Sequence, residues 1–282
     1  MSDNATIAGA TLSHLVGVGV RDFVICAGSR NVPLVATLLE VAEKHGLRLW
    51  RHFDERAASY FALGLAKRSG DPVVVCTTSG TAAAELLPAT IEAHYSGIPL
   101  VLVTADRPER FRGSGAPQAI EQPELFGHYV AVRMDVQDET DLSWLVSWGK
   151  ESPCHLNVCF EEPGPDDRAD AIEPIAVEER PPAVDEEDAG RLEAFVAEPR
   201  DLLVLLGELP ESWRDPVVKF LSRLRVPFWA EATSGLRERE ELAPFRVETE
   251  KEVAAREPRH VLRIGGVPSL RFWRDLEERG GI

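Results

Sequence analysis

The sequence predicts an α/β protein whose main domain is a parallel sheet with helices on both faces. Short β-rich runs alternate with helical patterns through the first 160 residues, and this alternation is typical of parallel sheets. Three of the runs are almost continuously apolar, as expected for strands that are buried on both faces. Parallel sheets of this kind bind ligands at the carboxyl ends of their strands. The loops that follow the strands are therefore the first place to look for a site.

The first domain is predicted over residues 1–165. Its strands are predicted over residues 22–28, 47–53, 72–78, 99–105 and 154–160. Its helices are predicted over residues 5–17, 32–45, 56–69, 80–95 and 138–148.

An acidic segment over residues 166–190 is predicted to be an exposed linker. Residues 161–190 carry twelve acids, two arginines and five prolines, a composition that favours solvated chain. Residues 191–282 then begin a second α/β unit, predicted to be a partial central domain, because the sequence stops where another strand would be expected. Its strands are predicted over 201–209, 226–232 and 260–266, with a helix near 211–224.

Composition narrows the range of functions. The chain has 282 residues and a net charge of −16, which opposes a nucleic-acid role based on phosphate neutralisation. No amino-terminal signal and no apolar run of membrane-spanning length occurs, so no membrane partner and a cytoplasmic location are expected. The four cysteines are irregularly spaced without a C-x-x-C pair, and the histidines lack metal-ligand spacing. No metal site is predicted from this chain.

Three charged residues, Asp54, Glu55 and Arg56, lie at a predicted strand-to-helix junction in the segment "RHFDERAASYFALGLAKRSG". Acids in the first turn of a helix stabilise it, which is one explanation. The alternative is a site at which a carboxylate meets a ligand. The residues alone leave both open.

Three other loops follow strands and carry polar residues. "AGSRNVPL" contains Ser29 and Arg30, and an arginine there suits carboxylate or phosphate recognition. "TTSGTAAAE" (77–85) has small residues that let backbone N–H groups approach a ligand. "TADRPERFRGSGAPQ" (104–118) carries three arginines. Helix capping and solvated surface charge explain these residues about as well. Nucleotide-triphosphate, dinucleotide and G-x-S-x-G motifs are not found in the expected contexts.

Five ordered segments together resemble one family. They are "CAGSRNVPL", "HFDERAASYFALGLAKRSG", "TTSGTAAAELLPATIEAHYSGIPLVLVTADRP", "GAPQAIEQPELFG" and "SPCHLNVCFEEP". The family is MenD, the 2-succinyl-5-enolpyruvyl-6-hydroxy-3-cyclohexene-1-carboxylate synthases of menaquinone biosynthesis, which depend on thiamine diphosphate. The resemblance is strong over about residues 8–163 and looser in the second unit. It implies that the first domain is the pyrimidine-binding domain.

The resemblance assigns Glu55 a catalytic role. In this family a glutamate at this place hydrogen-bonds N1′ of the cofactor's aminopyrimidine and promotes loss of the C2 proton, which is general acid–base catalysis. Asp54 and Arg56 would then orient or pair with neighbouring groups. The cofactor-binding residues implied are Glu55, Thr78, Ser79, Gly80 and Thr81.

The resemblance also implies the substrates. The whole enzyme would decarboxylate 2-oxoglutarate on thiamine diphosphate and add the resulting carbanion to isochorismate, a transferase reaction. Both substrates carry carboxylates, which suit an arginine-rich pocket. The substrate-binding residues implied are Ser29, Arg30, Arg107, Gln118 and Arg271.

Three departures from the family pattern leave alternatives open. The asparagine of the family's "GANQ" is Pro117, and Arg271 is followed by Phe272, so one charge of a basic pair is missing. A G-D-G…N motif, with which a third domain holds the diphosphate through Mg²⁺, is not found. Both cofactors would therefore require another domain, and the chain alone is expected to show little or no turnover.

That third departure has three competing explanations: a truncated chain, one subunit of a split enzyme, or a non-catalytic relative. The partners expected are a second copy, forming a homo-oligomer, or a chain carrying the diphosphate-binding domain. Two alternative functions also remain. One is another thiamine-diphosphate decarboxylase or carboligase that acts on a different 2-oxo acid. The other is a non-catalytic binding or assembly module.

Overall fold

The computed structural model of the chain describes residues 3–140, 142, 145, 148–164, 166–176, 185–197 and 201–278. It divides into two compact units, Met1–Glu179 (unit 1) and Arg180–Ile282 (unit 2). Each unit is built on its own parallel sheet. The α/β fold class predicted from strand–helix alternation is confirmed.

Unit 1 is centred on a six-stranded sheet in the order β2-β1-β3-β4-β6-β5, with every neighbouring pair parallel. The strands are β1 (Asp22–Cys26), β2 (Arg48–His52), β3 (Val73–Thr77), β4 (Leu100–Asp106), β5 (Val132–Val136) and β6 (Cys154–Cys159). The helices are α1 (Asn4–Gly17), α2 (Val32–His45), α3 (Glu55–Ser69), α4 (Thr81–Ala84) and α5 (Leu87–Ser96). Strands β1, β3, β4 and β6 are buried throughout. For β1, β3 and β4 this agrees with their almost continuous apolar runs.

Apolar side chains on the two faces of this sheet form two separate cores. Helices α1 and α2 cover one face with large aliphatic residues, including Leu12 and Leu38. Helices α3 and α5 cover the other face largely with alanines, including Ala62 and Ala89. The small side chains allow α3 and α5 to lie close to the sheet.

Two features of unit 1 differ from the sequence predictions. The helix predicted over 80–95 is interrupted between α4 and α5, and strand β5 was not predicted at all. Strand β5 lies at the sheet edge and alternates apolar with polar residues, so it lacks the buried-strand signature. The helix predicted over 138–148 falls partly on residues outside the described ranges.

Part of the acidic segment predicted to be an exposed linker packs on unit 1. Ile172 is 4% exposed and belongs to the core formed with α1 and α2. The Ala169 N–H donates to Thr37 Oγ1 at 3.0 Å, and the Ile175 N–H donates to the Ser13 carbonyl at 3.2 Å. The backbone of residues 169–175 is therefore held by polar groups of two helices. Residues 177–184 of the predicted linker lie outside the described ranges.

Unit 2 contains a three-stranded parallel sheet in the order β8-β7-β9. Its strands are β7 (Leu202–Leu206), β8 (Phe228–Ala230) and β9 (His260–Ile264), and its helices are α6 (Glu186–Ala197), α7 (Glu211–Leu224), α8 (Glu250–Ala255) and α9 (Arg271–Glu278). Alternate residues of β7 pack against α7 on one face and against α8 and α9 on the other. Helix α6 begins within the segment predicted to be a linker.

Candidate active site

Glu55 is the first residue of α3 and lies three residues after His52, the last residue of β2. Asp54 caps the helix, because its Oδ1 accepts the Ala57 N–H at 2.7 Å. Glu55 is half-buried, and the pairing of Cys26 with His52 places the ends of β1 and β2 side by side. Burial raises the pKa of the Cys26 thiol to about 12, and the carboxylates of Glu55 and Asp54 raise it as well. Glu55 therefore lies close to the carboxyl end of β1.

Gly28 allows the loop after β1 to meet the loop after β3. A Cβ at Gly28 would lie 2.6 Å from Thr78 Cβ and 2.9 Å from Thr78 Oγ1. Such distances are shorter than van der Waals contact, so a larger residue would separate the two loops. The Thr78 hydroxyl is buried without a hydrogen-bond partner in the described structure. The loops thus form a narrow cradle that holds one unsatisfied polar group.

Gly80 joins the loop after β3 to the loop after β4. Its φ of +80° and ψ of −139° are accessible essentially to glycine alone, and a Cβ there would lie 2.7 Å from Gln118 Cγ. Gln118 Nε2 donates to the Ser79 carbonyl at 2.9 Å, and the Gly80 N–H donates to Gln122 Oε1 at 2.9 Å. Thr81, at the start of α4, is exposed. The structure therefore brings the predicted residues 78–81 and Gln118 together.

Arg107 is the first residue after β4 and is half-buried. Its backbone N–H donates to Asp106 Oδ1 at 2.7 Å. Its Nη1 is buried and has no hydrogen-bond partner in the described structure. A buried guanidinium nitrogen without an acceptor is costly unless an acceptor arrives. Among the residues predicted to bind substrate, Arg107 is therefore the one with an unused buried donor for an anion.

Arg30 is engaged within the chain. It is 6% exposed, and its Nη1 donates to the carbonyls of Phe160 at 3.1 Å and Glu161 at 3.0 Å. Its Nη2 donates to Glu162 Oε2 at 2.7 Å, and the Glu162 side chain is largely exposed. A bound carboxylate would have to displace Glu162 to reach this nitrogen. Ser29, immediately before Arg30, is exposed.

A buried polar network, not predicted from the sequence, lies beside these loops. Asn157 Nδ2 donates to Asp106 Oδ2 at 3.1 Å and to Asp135 Oδ1 at 2.8 Å. Arg112 binds both Asp135 oxygens, at 2.7 and 2.6 Å. Burial raises the pKa of Asp106. Burial also opposes ionisation of Asp135, but hydrogen bonds from Arg112, Asn157 and Gln137 hold the Asp135 pKa below its ordinary value.

The network continues to His155 on the same strand as Asn157. The Thr104 hydroxyl lies 2.7 Å from His155 Nε2 and donates to Asn157 Oδ1 at 3.1 Å. The His155 ring packs edge-on against Phe126, with centroids 4.6 Å apart. Burial lowers the pKa of His155 to about 3. The imidazole is therefore neutral at physiological pH and serves as a structural polar group.

The sequence did carry a signal for this network. Strand β6, "CHLNVC", places two polar residues among apolar ones, and strand β5, "VRMDV", places a carboxylate in an edge strand. Cross-strand register sets Asn157 beside both Thr104 and Asp135. Buried polar residues on adjacent strands require mutual partners. Pairing them from sequence would have required the register, which the sequence does not give.

Arg271 lies in unit 2, at the first residue of α9. Its guanidinium is mostly exposed and lies 3.5 Å from an Asp275 oxygen one helical turn away. Phe272 is 5% exposed and belongs to the core between β7 and α9. Packing therefore explains an apolar residue at the place where the family pattern has a second charge.

No group of three or more metal-ligating side chains occurs in the part of the chain that the structure describes. No helix among those residues is long and apolar enough to cross a membrane. An apolar cleft of about 530 Å³ lies in unit 2, and Arg263 is the one charged side chain among the described residues that line it. Its lining provides little of the polar chemistry that the loops of unit 1 display.

The class of the first unit follows from comparison with known families. Residues 5–125 match the family described as "Thiamine pyrophosphate enzyme, N-terminal TPP binding domain". This range contains Glu55, the 78–81 loop, Arg107 and Gln118. The match agrees with the parallel sheet and with the loops gathered at its carboxyl-end edge.

Curated relatives of the chain define a narrower family. The chain is 40% identical over 284 residues to the 2-succinyl-5-enolpyruvyl-6-hydroxy-3-cyclohexene-1-carboxylate synthase of Bdellovibrio bacteriovorus, which covers 98% of the chain and 53% of that protein. It is 41% identical over 288 residues to the protein of the same name from Akkermansia muciniphila, covering 99% and 52%. It is 36% identical over 289 residues to the protein of the same name from Chloroflexus aurantiacus, and that match covers 92% of the chain and 48% of the relative.

The chain therefore belongs to the MenD family of thiamine-diphosphate enzymes, as its motifs predicted. It spans about half the length of the relatives that it matches.

Proposed function

We propose that this chain provides the pyrimidine-binding part of an enzyme that decarboxylates 2-oxoglutarate and adds the product carbanion to isochorismate. The relatives named above support this reaction, because their shared name describes its product. The diphosphate and Mg²⁺ would be held by groups corresponding to the half of the relatives that the chain does not span. Thiamine diphosphate, when bound, would supply a thiazolium carbon that adds to 2-oxo acids and a cationic ring that accepts the electron pair left behind when CO₂ departs.

The observation that carries the proposal is the position of Glu55. Its carboxylate lies in the first turn of α3, half-buried, beside the carboxyl end of β1. At that place it can hold and exchange a proton with a ring nitrogen of an aminopyrimidine, as a general acid–base group requires. Asp54, which caps the helix, fixes the start of α3 and so the position of Glu55.

The residues present fit the pyrimidine half of the cofactor. Gly28 and Gly80 let the loops after β1, β3 and β4 approach one another closely, because a Cβ at either would lie within 2.7 Å of a neighbouring side chain. The Thr78 hydroxyl offers a buried polar atom that is still unsatisfied. Ser79 and Thr81 belong to the same loop and would contribute backbone groups at the start of α4.

Arg107 is proposed as the main carboxylate ligand in this chain. Its unpartnered Nη1 supports that role, and a carboxylate would satisfy it with a charge-assisted hydrogen bond. Gln118, exposed and adjacent to Ser79, would contribute an amide to the same ligand. Arg30 would join after displacement of Glu162, and Ser29 precedes it in the same loop. Arg271, which belongs to unit 2, is also proposed to bind a carboxylate.

The test combines this chain with the part of the Bdellovibrio bacteriovorus relative that the chain does not span. Decarboxylation of 2-oxoglutarate is measured with thiamine diphosphate and Mg²⁺ present. We expect turnover from the combination, and a loss of at least about 100-fold in Glu55→Gln, since general acid–base catalysis contributes roughly that much or more. Glu43→Gln, which removes an exposed carboxylate of α2, is the matched control. Equal turnover in Glu55→Gln and Glu43→Gln would refute the role of Glu55.

Pro117 supports one alternative, a related enzyme that uses a different 2-oxo acid. Proline lacks the amide side chain that the family pattern has there, so one donor and one acceptor are missing beside Gln118. The same combined enzyme, assayed with a panel of 2-oxo acids, distinguishes the two. A preference for a substrate without a distal carboxylate would favour the alternative.

A further inference from the structure

Gln122 and Asn157 link the two loops on which the proposed function depends. Gln122 Oε1 accepts the Gly80 N–H at 2.9 Å, and its Nε2 donates to Asn157 Oδ1 at 2.8 Å and to the Ala105 carbonyl at 3.1 Å. Asn157 in turn donates to the carboxylates of Asp106 and Asp135. A chain of hydrogen bonds therefore runs from the cofactor loop (residues 78–81) to both carboxylates.

Each carboxylate then holds the arginine loop (residues 107–118). Asp106 Oδ1 accepts the backbone N–H of Arg107 at 2.7 Å. Asp135 binds the guanidinium of Arg112 through two hydrogen bonds. This series of hydrogen bonds therefore ends at the backbone of Arg107, the proposed carboxylate ligand, and at the guanidinium of Arg112.

The linking residues are fully buried and their polar side-chain atoms are used. Gln122 and Asn157 are both 0% exposed, and Asp106 is 2% exposed. Each amide both accepts and donates, so neither can rotate without breaking bonds at both ends. Gly80, at one end, has a backbone conformation that the bond to Gln122 stabilises. A displacement of one loop is therefore resisted by the position of the other.

We propose that Gln122 and Asn157 are positioning residues that make the cofactor loop and the arginine loop move as one unit. The structural coupling stands on this geometry; its role in positioning cofactor against substrate rests on the proposed function. Neither residue touches the proposed substrate, and both act through Gly80 and Arg107. Binding of cofactor would then organise Arg107, and binding of a carboxylate at Arg107 would organise Gly80, because such coupling is reciprocal.

The test detects coupling in the free chain, without cofactor or substrate. Asp135→Asn removes a charge at one end of the hydrogen-bond chain, and the amide resonance of Gly80 reports the other end in ¹⁵N-glycine-labelled protein. We expect Asp135→Asn to displace the Gly80 resonance in an otherwise unchanged chain. In a Gln122→Met background the same substitution should displace it no more than the resonance of Gly97, which ends α5 and is outside the network.

Two controls keep the result interpretable. Gln122→Met leaves the contact between Gln118 and Ser79 in place, so a displacement that persists in that background would show a direct route and overturn the proposal. No displacement in the unchanged background would also overturn it. If Gln122→Met does not fold, Gln122→Glu replaces it, because that side chain keeps an acceptor for Gly80 but loses both donors.

An activity measurement then tests the positioning role. In the combined enzyme, Gln122→Met should lower kcat/KM for 2-oxoglutarate by about tenfold, as expected for a coupling of moderate strength. Thr11→Val, which removes a buried hydroxyl from α1 outside the network, should leave it unchanged. Absence of turnover in every form would count against the proposed function, while the resonance experiment would still decide the coupling. An unchanged kcat/KM in Gln122→Met would overturn the positioning role.

Discussion

The two units place loops at the carboxyl ends of parallel strands, but they use those loops differently. In unit 1 the loops bring side chains together and leave polar atoms of Thr78 and Arg107 unsatisfied. In unit 2 the loops after β7 and β9 meet through backbone. A Cβ at Gly207 would lie 1.9 Å from the Gly266 carbonyl oxygen, and the Gly266 N–H donates to the Glu208 carbonyl at 3.0 Å. The fold therefore determines where a ligand could bind, at the carboxyl ends of the strands. The residues in the loops there determine whether polar groups remain available to a ligand.

The difference between the units comes from what each glycine faces. A Cβ at Gly28 would lie 2.6 Å from Thr78 Cβ, an atom that can move only with the loop after β3. Gly207 faces the backbone of Gly266, and two backbone hydrogen bonds hold these segments together, because the Gly207 N–H also donates to the Ile264 carbonyl at 3.0 Å. The contact in unit 2 is consequently the more rigid of the two, and a substitution there should lower the stability of the protein more.

Gly207→Ala is expected to have the largest effect on stability. The added methyl group cannot coexist with the Gly266 carbonyl, so the loops after β7 and β9 must separate, at a cost above about 3 kcal/mol. Gly28→Ala should cost about 2 kcal/mol, because its nearest neighbour would lie 2.6 Å away, compared with 1.9 Å at Gly207, and the loop after β3 has less far to shift. Hydrogen exchange measured on peptides from each unit would show which unit is destabilised. A smaller loss in Gly207→Ala than in Gly28→Ala would contradict the comparison.

His155 should give unit 1 a marked loss of stability in acid. Its pKa is about 3 in the folded chain and near 6.5 when unfolded, so between these values the unfolded chain binds more protons. Stability must then fall as the pH drops below 6.5, by at most about 1.4 kcal/mol per pH unit from this group. Denaturation in urea between pH 7.5 and 5.5 should show a flatter profile for His155→Gln.

Thr104→Val provides the matched control for that experiment. It removes the hydroxyl that contacts His155 but keeps the imidazole buried. The acid-dependent loss should therefore remain in Thr104→Val and disappear only in His155→Gln. A profile of equal slope in all three proteins would mean that His155 is not the source.

Much of the fold could be predicted from sequence, because the buried strands have a continuous apolar signature. The site was predictable only through the resemblance, since Glu55 and Arg107 alone fit helix capping and surface charge equally well. Edge strand β5 lacks that signature, and the network around Asn157 depends on which residues lie opposite each other in three strands. The packing of residues 169–175 could not be predicted from sequence either, because it depends on hydrogen bonds from the backbone of this segment to hydroxyls on α1 and α2.

Substitutions of Asp54 and Glu55 should have different effects, one mainly on stability and the other mainly on activity. Asp54→Ala removes the side-chain cap of α3 and should cost about 1 kcal/mol. Glu55→Gln keeps that cap and loses only a favourable charge near the helix terminus, so it should cost less than about 0.5 kcal/mol. Denaturation in urea gives the stabilities, and the decarboxylation assay with the combined enzyme gives the activities. A larger stability loss in Glu55→Gln would mean that Glu55 has mainly a structural role.

Gly64→Ala is expected to stabilise the chain, and it tests whether glycines in unit 1 matter only where loops meet. It lies within α3, is exposed, and a Cβ there would have nothing within 4 Å. Alanine is preferred to glycine in a helix interior by about 0.8–1 kcal/mol, so Gly64→Ala should raise the free energy of unfolding by up to that amount. Denaturation in urea measures the change. A loss of stability would show that α3 has a contact at this position that the present structure does not contain, and the contrast with Gly28 would then fail.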